Sequence, residues 1–298
     1  MLRAVERKIE QFILELDDDN TVMLYKKLPV GKRLRAKLIL KIAGESLSAI
    51  KLSAVVEMIH LASLLHDDVI DDAYVRRNRP SINALYGNKS AIMLGDILYS
   101  KGFYELNNID SKVSKIVSNA VTQLSLGEQA DVLLANRFNS SKEHYMKMIY
   151  QKTASLIEAC AYSGAILANK NPIPYQTYGR NIGIAFQIID DILDITSSSD
   201  TLGKPSMHDF VEGKTTLPYI YLYEKLNNDD KTKLISLHKK ELSSDELNWI
   251  LAGFKEYNII EKCIKEAQTL VEEALSLMNK EGNISLQKIA KDMIDREF

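Results

Sequence analysis

Proline is scarce and confined to segment edges: 6 occur in 298 residues, at Pro29, Pro80, Pro172, Pro174, Pro205 and Pro218. Proline breaks helix interiors, so its absence elsewhere leaves long stretches free to be helical. Alternation of period two is also rare, which argues against a strand-built fold. The 2 cysteines, Cys160 and Cys263, both lie in apolar patterns of helical spacing. They exclude a disulfide scaffold and read as buried, reduced thiols. Neither charge sign dominates (formal net charge −2), and no basic stripe carries interleaved aromatics, so nucleic-acid binding is not expected. Residues 1–19 are too charged for the apolar segment of a signal peptide. No run reaches about 18 uninterrupted apolar residues, and the best candidate, 154–168, contains Glu158. These absences predict a soluble, cytoplasmic protein with no anchoring helix. No repeat of 20–50 residues and no low-complexity linker divides the chain, which reads as a single domain over 1–298.

What remains is ordinary globular composition, 46% hydrophobic and 26% charged, arranged with helical period. Leu52, Val55, Val56, Ile59, Ala62 and Ser63 form one stripe. Ile260, Cys263, Ile264, Ala267, Val271, Ala274, Leu275 and Met278 form another. The expected class is all-α. The longest loop-like region is 196–216, and loops that long in compact proteins are usually functional or disordered.

Acidic and basic residues are clustered rather than scattered. In HLASLLHDDVIDDAYVRRNRP (60–80), Asp67, Asp68, Asp71 and Asp72 follow an apolar run, and Arg76, Arg77 and Arg79 follow them. On a helix Asp67 shares a face with Asp71, and Asp68 with Asp72. Such pairs repel unless a cation sits between them, and hard carboxylate oxygens suit Mg²⁺. The plainer reading is a solvated acidic helix end. A second cluster of the same form, FQIIDDILDI (186–195), weakens it. There Gln187, Asp190, Asp191 and Asp194 share one side of a helix, and Ile188, Ile189, Ile192 and Leu193 the other. Lys204 and Lys214 come next, so acids are twice followed by bases. Two carboxylate faces opposed across a helical bundle could hold several Mg²⁺ ions and, with Lys and Arg, a diphosphate.

Three weaker elements accompany these. VGKRLRAKL (30–38) puts Lys32, Arg33 and Arg35 after Gly31, either a solvated basic turn or a phosphate site. QKTAS (151–155) sets Lys152 and Thr153 before a small, apolar helix, a plausible oxyanion contact. Gln123, Glu128, Gln129 and Asp131 are either satisfied core polar groups or the wall of a polar cavity, and Gly95 suggests a close helix contact.

In this order and spacing, GKRLR (31–35), DDVID (67–71) with Arg76 and Arg77, QKTA (151–154), FQIIDDILD (186–194), LGKP (202–205) and GKTTLP (213–218) resemble the trans-type polyprenyl diphosphate synthases over nearly the full length. The resemblance implies a helical bundle of about a dozen helices around a central cavity (the isoprenoid synthase fold), usually a homodimer. It implies a Mg²⁺-dependent prenyltransferase, with three ions per site, that joins isopentenyl diphosphate head-to-tail to an allylic diphosphate. By the same resemblance Asp67, Asp71 and Asp190 are metal ligands, and Asp68, Asp191 and Asp194 assist. Arg76, Lys152, Thr153, Gln187, Lys204 and Lys214 contact the allylic diphosphate. Lys32, Arg35, His60 and Arg77 form the isopentenyl diphosphate site. The chain departs from the family at Ala36, often proline, at Asn78 and Met207, often glycine, and in having one glycine before Lys32 where two are common.

Product length follows from Ala62 and Ser63, small where short-chain members carry a blocking aromatic. Below Ser63 the stripe to Leu52 spans roughly 16 Å of helix. The expectation is a long product, octaprenyl favoured, with Tyr99, Phe103 and Tyr104 as candidates for the cavity floor. Small residues kept only for helix packing would undo it. The competing readings are a farnesyl or geranylgeranyl diphosphate synthase, a terpene cyclase or squalene-type synthase, and a non-catalytic regulatory subunit. A lipid product also implies transient contact with a membrane surface.

Overall fold

Two compact groupings of helices organise the chain in the computed structural model, which describes residues 1–196 and 207–294. The first comprises 1–121 and 159–175, the second 122–158 and 176–298.

At the centre of the first lies a 24-residue helix, Leu47–Ile70, preceded by Leu2–Leu14, Asp19–Tyr25 and Leu34–Ala43. In chain order these four are α1 to α4. Helix α4 is apolar on nearly every side, as a helix enclosed by others must be. Leu52, Val55, Val56, Ile59 and Ala62 are fully buried, so the stripe read from sequence is core. By length and apolarity α4 could cross a membrane, although charged residues interrupt its apolar run in the sequence. With 67% of its apolar window buried inside the protein, it is a core helix. Ser46 caps its start by accepting from the Ala49 N–H at 3.2 Å.

Past α4 the chain makes a two-residue hairpin, Val75–Arg76 paired with Arg79–Pro80. Its turn residues, Arg77 and Asn78, have φ of 52° and 58°. Both are left-handed, as a tight hairpin turn of this twist requires, and asparagine tolerates that where glycine is usual. Helices α5 (Ile82–Tyr86) and α6 (Asn88–Leu106) follow. Helix α6 packs against α4, and a Cβ on Gly95 would fall 2.3 Å from His66 Nε2. The close contact expected at Gly95 is therefore present.

The second grouping takes most of α7 (Ser111–Leu134), then α8 (Lys142–Ile149), a π-helical turn at Tyr150–Ala154, and the start of α9 (Ser155–Leu167). It continues through most of α10 (Pro172–Thr196) to α11 (His208–Val211), α12 (Leu217–Lys225) and α13 (Asn228–Leu237). It closes with α14 (Ser244–Glu256), α15 (Ile259–Lys280) and α16 (Ser285–Ile294). Tyr145, Ile188, Ile192, Phe210, Tyr219 and Cys263 are among its core residues. In α15 Cys263, Ala267, Ala274 and Met278 of the second stripe are buried, while Ile260, Ile264, Val271 and Leu275 are half-buried beside them. The all-α expectation holds, the two-residue strands of the hairpin aside.

Candidate active site

Helix α3 starts where three cations would oppose its dipole, and the structure shows what offsets them. Arg33, at φ 52°, is the residue before the helix, and it is a buried ion-pair residue. Its Nε lies 2.7 Å from Glu6 and its Nη1 3.3 Å from Glu57. Glu57, in α4, also accepts from the Ala36 N–H at 3.0 Å. A proline at 36 would lack that donor, so the Ala36 departure and the Glu57 cap fit each other.

Glu6 and Glu57 both serve Arg33, leaving neighbouring cations in excess. Arg35 is half-buried, its Nε without a hydrogen-bond partner. His60 is half-buried as well, and loss of water contact, then the charges of Arg35, Arg77, Arg76 and Arg33, hold its pKa well below 6.5. Arg77 is exposed and donates from Nη1 to the Pro29 carbonyl at 3.3 Å. A Cβ on Gly31 would meet that same nitrogen at 2.7 Å, so a side chain there would displace the Arg77 guanidinium. Lys32 is exposed nearby in sequence. A cluster of cations with its carboxylates already engaged carries the charge a polyanion would neutralise.

At the end of α4, Asp67 is half-buried and Asp71 caps the helix, its N–H bonded to the Asp67 carbonyl at 2.8 Å. Asp72 differs from expectation: its φ of 48° takes it out of the helix, so it does not share a face with Asp68. Asp68 is 3% exposed and accepts from Arg76 Nε at 2.6 Å. Arg76 is thereby tied to Asp68 within the hairpin. Asn83 Nδ2 donates to the Asp68 and Ala73 carbonyls at 3.0 and 3.1 Å, pinning the hairpin beneath the helix end.

In the second grouping Lys152 and Thr153 sit in the π turn, a feature that often marks functional positions. The turn fits between glycines. A Cβ on Gly127 would lie 2.2 Å from the Lys152 N, and one on Gly183 2.6 Å from the Ala154 Cα. Helix α7 then brings Asp131 to 2.6 Å and Glu128 to 2.9 Å from Lys152 Nζ. Burial pulls the lysine pKa down, but those two acids outweigh it and leave Lys152 firmly charged. Of the polar groups expected on α7, Glu128 and Asp131 thus hold the lysine.

The aspartates of α10 divide by depth. Asp190 is exposed, Asp194 half-buried and Asp191 5% exposed. Asp191 accepts from Tyr145 Oη at 2.6 Å and from Gln187 Nε2 at 2.8 Å, and Gln187 Oε1 accepts from Thr153 Oγ1 at 2.7 Å. Burial, then the negative charges of Asp209 and Asp190, push the Asp191 pKa well above the usual carboxylate range. Asp194 accepts from the Asp209 N–H at 3.2 Å, and its carbonyl from the Met207 N–H at 2.9 Å. Met207 is fully buried with φ 62°, where glycine would be unstrained. Lys214 Nζ lies 2.9 Å from Glu212. Lys204 lies outside the described residues.

Asp67 and Asp71 in the first grouping, and Asp190 in the second, each offer carboxylate oxygens of the kind Mg²⁺ takes. Among the described residues no three such side chains form a ready-made cage, and Mg²⁺ commonly takes one or two protein carboxylates plus water and phosphate.

Ala62 and Ser63 are 0% and 5% exposed, and Ser63 Oγ donates back to the His60 carbonyl at 2.9 Å, keeping the hydroxyl against its own helix. Tyr99 lies between the rings of His66 and Phe103, at 5.6 and 6.3 Å. Tyr104 is 65% exposed and lines an open groove of about 820 Å³ with Met93, Ile97 and Lys101, so it faces outward rather than closing a floor.

Glu57, Arg33, Tyr145, Asp209, Gly127 and Gly183 were not singled out by sequence reasoning as positioning groups. A lone acid inside an apolar run could have flagged Glu57. Nothing in spacing pairs Tyr145 with Asp191.

A family model described as "Polyprenyl synthetase" matches residues 20–252. An octaprenyl diphosphate synthase from Haemophilus influenzae is 32% identical over 90% of this chain and 85% of its own length. A short chain isoprenyl diphosphate synthase from Methanothermobacter thermautotrophicus is 38% identical over 70% of this chain and 67% of its own. The crystal structure of octaprenyl pyrophosphate synthase from Helicobacter pylori superposes with TM-score 0.93 at 47% identity, covering 99% of this chain and 98% of that one.

Proposed function

This chain belongs to the polyprenyl synthetase family, and from that premise we propose how it works as a long-chain prenyltransferase. The substrates are isopentenyl diphosphate and an allylic diphosphate, joined head-to-tail into a polyprenyl diphosphate of about octaprenyl length. The observation that carries this reading is the 47% identity to the octaprenyl pyrophosphate synthase along 99% of the chain. Both aspartate groups and the cation cluster are intact within that span.

Arg35, His60 and Arg77, with exposed Lys32, hold the diphosphate of isopentenyl diphosphate. Asp67 and Asp71 of the first grouping and Asp190 of the second would be the magnesium ligands, and Lys152, Gln187, Lys204 and Lys214 would contact the allylic diphosphate. Bound Mg²⁺ supplies the positive charge that lets diphosphate depart. Lys152, kept charged by Asp131 and Glu128, adds a fixed cation to that task. Asp68 and Asp191 serve from inside, as their buried hydrogen bonds support. Departure leaves an allylic cation; the isopentenyl double bond attacks it to form the new carbon–carbon bond, and the resulting cation passes a proton to the departed diphosphate, which leaves a new double bond in the product.

A second reading is favoured by one observation, the 38% identity to a short chain isoprenyl diphosphate synthase. The small, buried Ala62 and Ser63 on α4 count against it. A regulatory subunit would be expected to lack some of the acids present here. We further propose one functional domain over 1–298, a cytoplasmic location with transient membrane contact, and a homodimer. The exposed Leu85, Tyr86, Ile92 and Met93 on α5 and α6 support the dimer. Incubation with labelled isopentenyl diphosphate, farnesyl diphosphate and Mg²⁺, then chromatography of the dephosphorylated alcohols, tests activity and length together. Octaprenol is expected; geranylgeraniol as the end product would establish the short-chain reading, and no product would overturn both.

A further inference from the structure

Glu158 interrupts the apolar run 154–168, and the reaction derived above gives it no task. It is 7% exposed. Gln176 Nε2 donates to its Oε1 at 2.6 Å, and Arg180 grips both oxygens, from Nε at 3.0 Å and Nη2 at 3.1 Å. The Tyr150 hydroxyl hydrogen-bonds to it as well, and the Arg180 guanidinium carbon lies 5.4 Å from the Tyr150 ring centroid. All four residues belong to the second grouping.

Tyr150 opens the π turn, and Glu158 follows eight residues later in α9. In an unbroken α-helix, residues eight apart point about 80° away from one another. The extra residue of a π turn makes the pair equivalent to residues seven apart, which differ by only about 20°. Here the Ser155 N–H bonds the Tyr150 carbonyl five residues back, and the Ser155 hydroxyl donates to the Gln151 carbonyl at 2.8 Å. Tyr150 and Glu158 therefore align because the turn is present, and their contact in return holds it. On α10, Gln176, Arg180, Gly183 and Gln187 recur at steps of four, three and four, so they share a face. That face meets Glu158 at Gln176 and Arg180, and Thr153 Oγ1 at Gln187, 2.7 Å away. Between them Gly183 lies against Ala154, where a Cβ would fall 2.6 Å from its Cα.

We propose that Glu158 is a positioning residue: with Tyr150, Gln176 and Arg180 it clamps the π turn and so aims Lys152 at the allylic diphosphate. Without the carboxylate the turn can revert to α-helical register, a step of about 100° that swings Lys152 away from Asp131 and Glu128. The inference rests on the reading of Lys152 as a diphosphate contact, but the clamp itself does not.

Two measurements separate these. Backbone hydrogen exchange, read by mass spectrometry on fragments covering 150–158, should quicken about tenfold in Glu158→Ala, with fragments of α13 and α14 unmoved. Unchanged exchange at the turn, or an equal rise throughout the chain, overturns the inference whether or not the enzyme turns over. In the labelled assay, Glu158→Ala should lower kcat by roughly tenfold, as misplacement of a catalytic group does, and leave the isopentenyl diphosphate KM unmoved. Placed on Lys152→Ala, the same substitution should add less than about twofold. Equal effects in both backgrounds would mean that Glu158 acts only on packing, and would overturn the inference. Should Glu158→Ala fail to fold, Tyr150→Phe carries both measurements, because it removes one hydroxyl and no charge. An inactive wild type whose exchange at the turn depends on Glu158 would sink the functional reading and leave the clamp standing.

Discussion

His60 carries no charge at neutral pH because its loss of water contact, and then the surrounding arginines, depress its pKa. The unfolded chain binds a proton near 6.5 that the folded chain refuses, so stability is full above 6.5 and falls as pH drops toward the depressed value. Chemical denaturation across that range should show the loss, and His60→Gln should flatten it. Bound diphosphate reverses the local field, so isopentenyl diphosphate binding should take up protons, measurable as a buffer-dependent heat in calorimetry. Glu57 is the second residue whose role is positional. Glu57→Gln leaves Arg33 short of a buried partner and should cost about 3 kcal/mol in urea unfolding, with a raised KM for isopentenyl diphosphate. Cys160 and Cys263, both pushed up to about 12 by burial, should resist alkylation until the chain unfolds, as mass spectrometry would show.

At the scale of elements, the π turn depends on glycines from two other helices. Gly127→Ala would put a Cβ 2.2 Å from the Lys152 N, against backbone rather than a flexible side chain. Overpacking of this kind costs about 1–3 kcal/mol. It should also lower kcat, because Lys152 and Thr153 move with the turn, and the same holds for Gly183→Ala. Helix α4 carries the length prediction. Ala62→Phe or Ser63→Phe should shorten the product by several isoprene units; unchanged alcohols on chromatography would place the length stop elsewhere.

For the whole molecule, Mg²⁺ bound by the aspartate groups would make turnover depend on the metal. Chelation should abolish turnover and added Mg²⁺ restore it. Asp67→Ala and Asp190→Ala should each reduce kcat by orders of magnitude, as removal of charge stabilisation at a departing group does. Met93→Lys on the exposed face of α6 should shift the sedimentation coefficient from dimer to monomer.

The all-α class and the two carboxylate motifs were legible in the sequence, because helical period and like-charge spacing are local properties of the chain. Proline placement and the apolar stripes fixed α4 and α15 for the same reason. What local spacing could not specify was direction and partner. Tertiary packing decided that Asp191 turns inward to Tyr145 while Asp190 stays exposed, that Arg33 answers Glu6 and Glu57, and that Asp72 leaves the helix. Only folding brings residues tens of positions apart within hydrogen-bond distance, and only there does burial make each unpaired polar group costly enough to choose its partner.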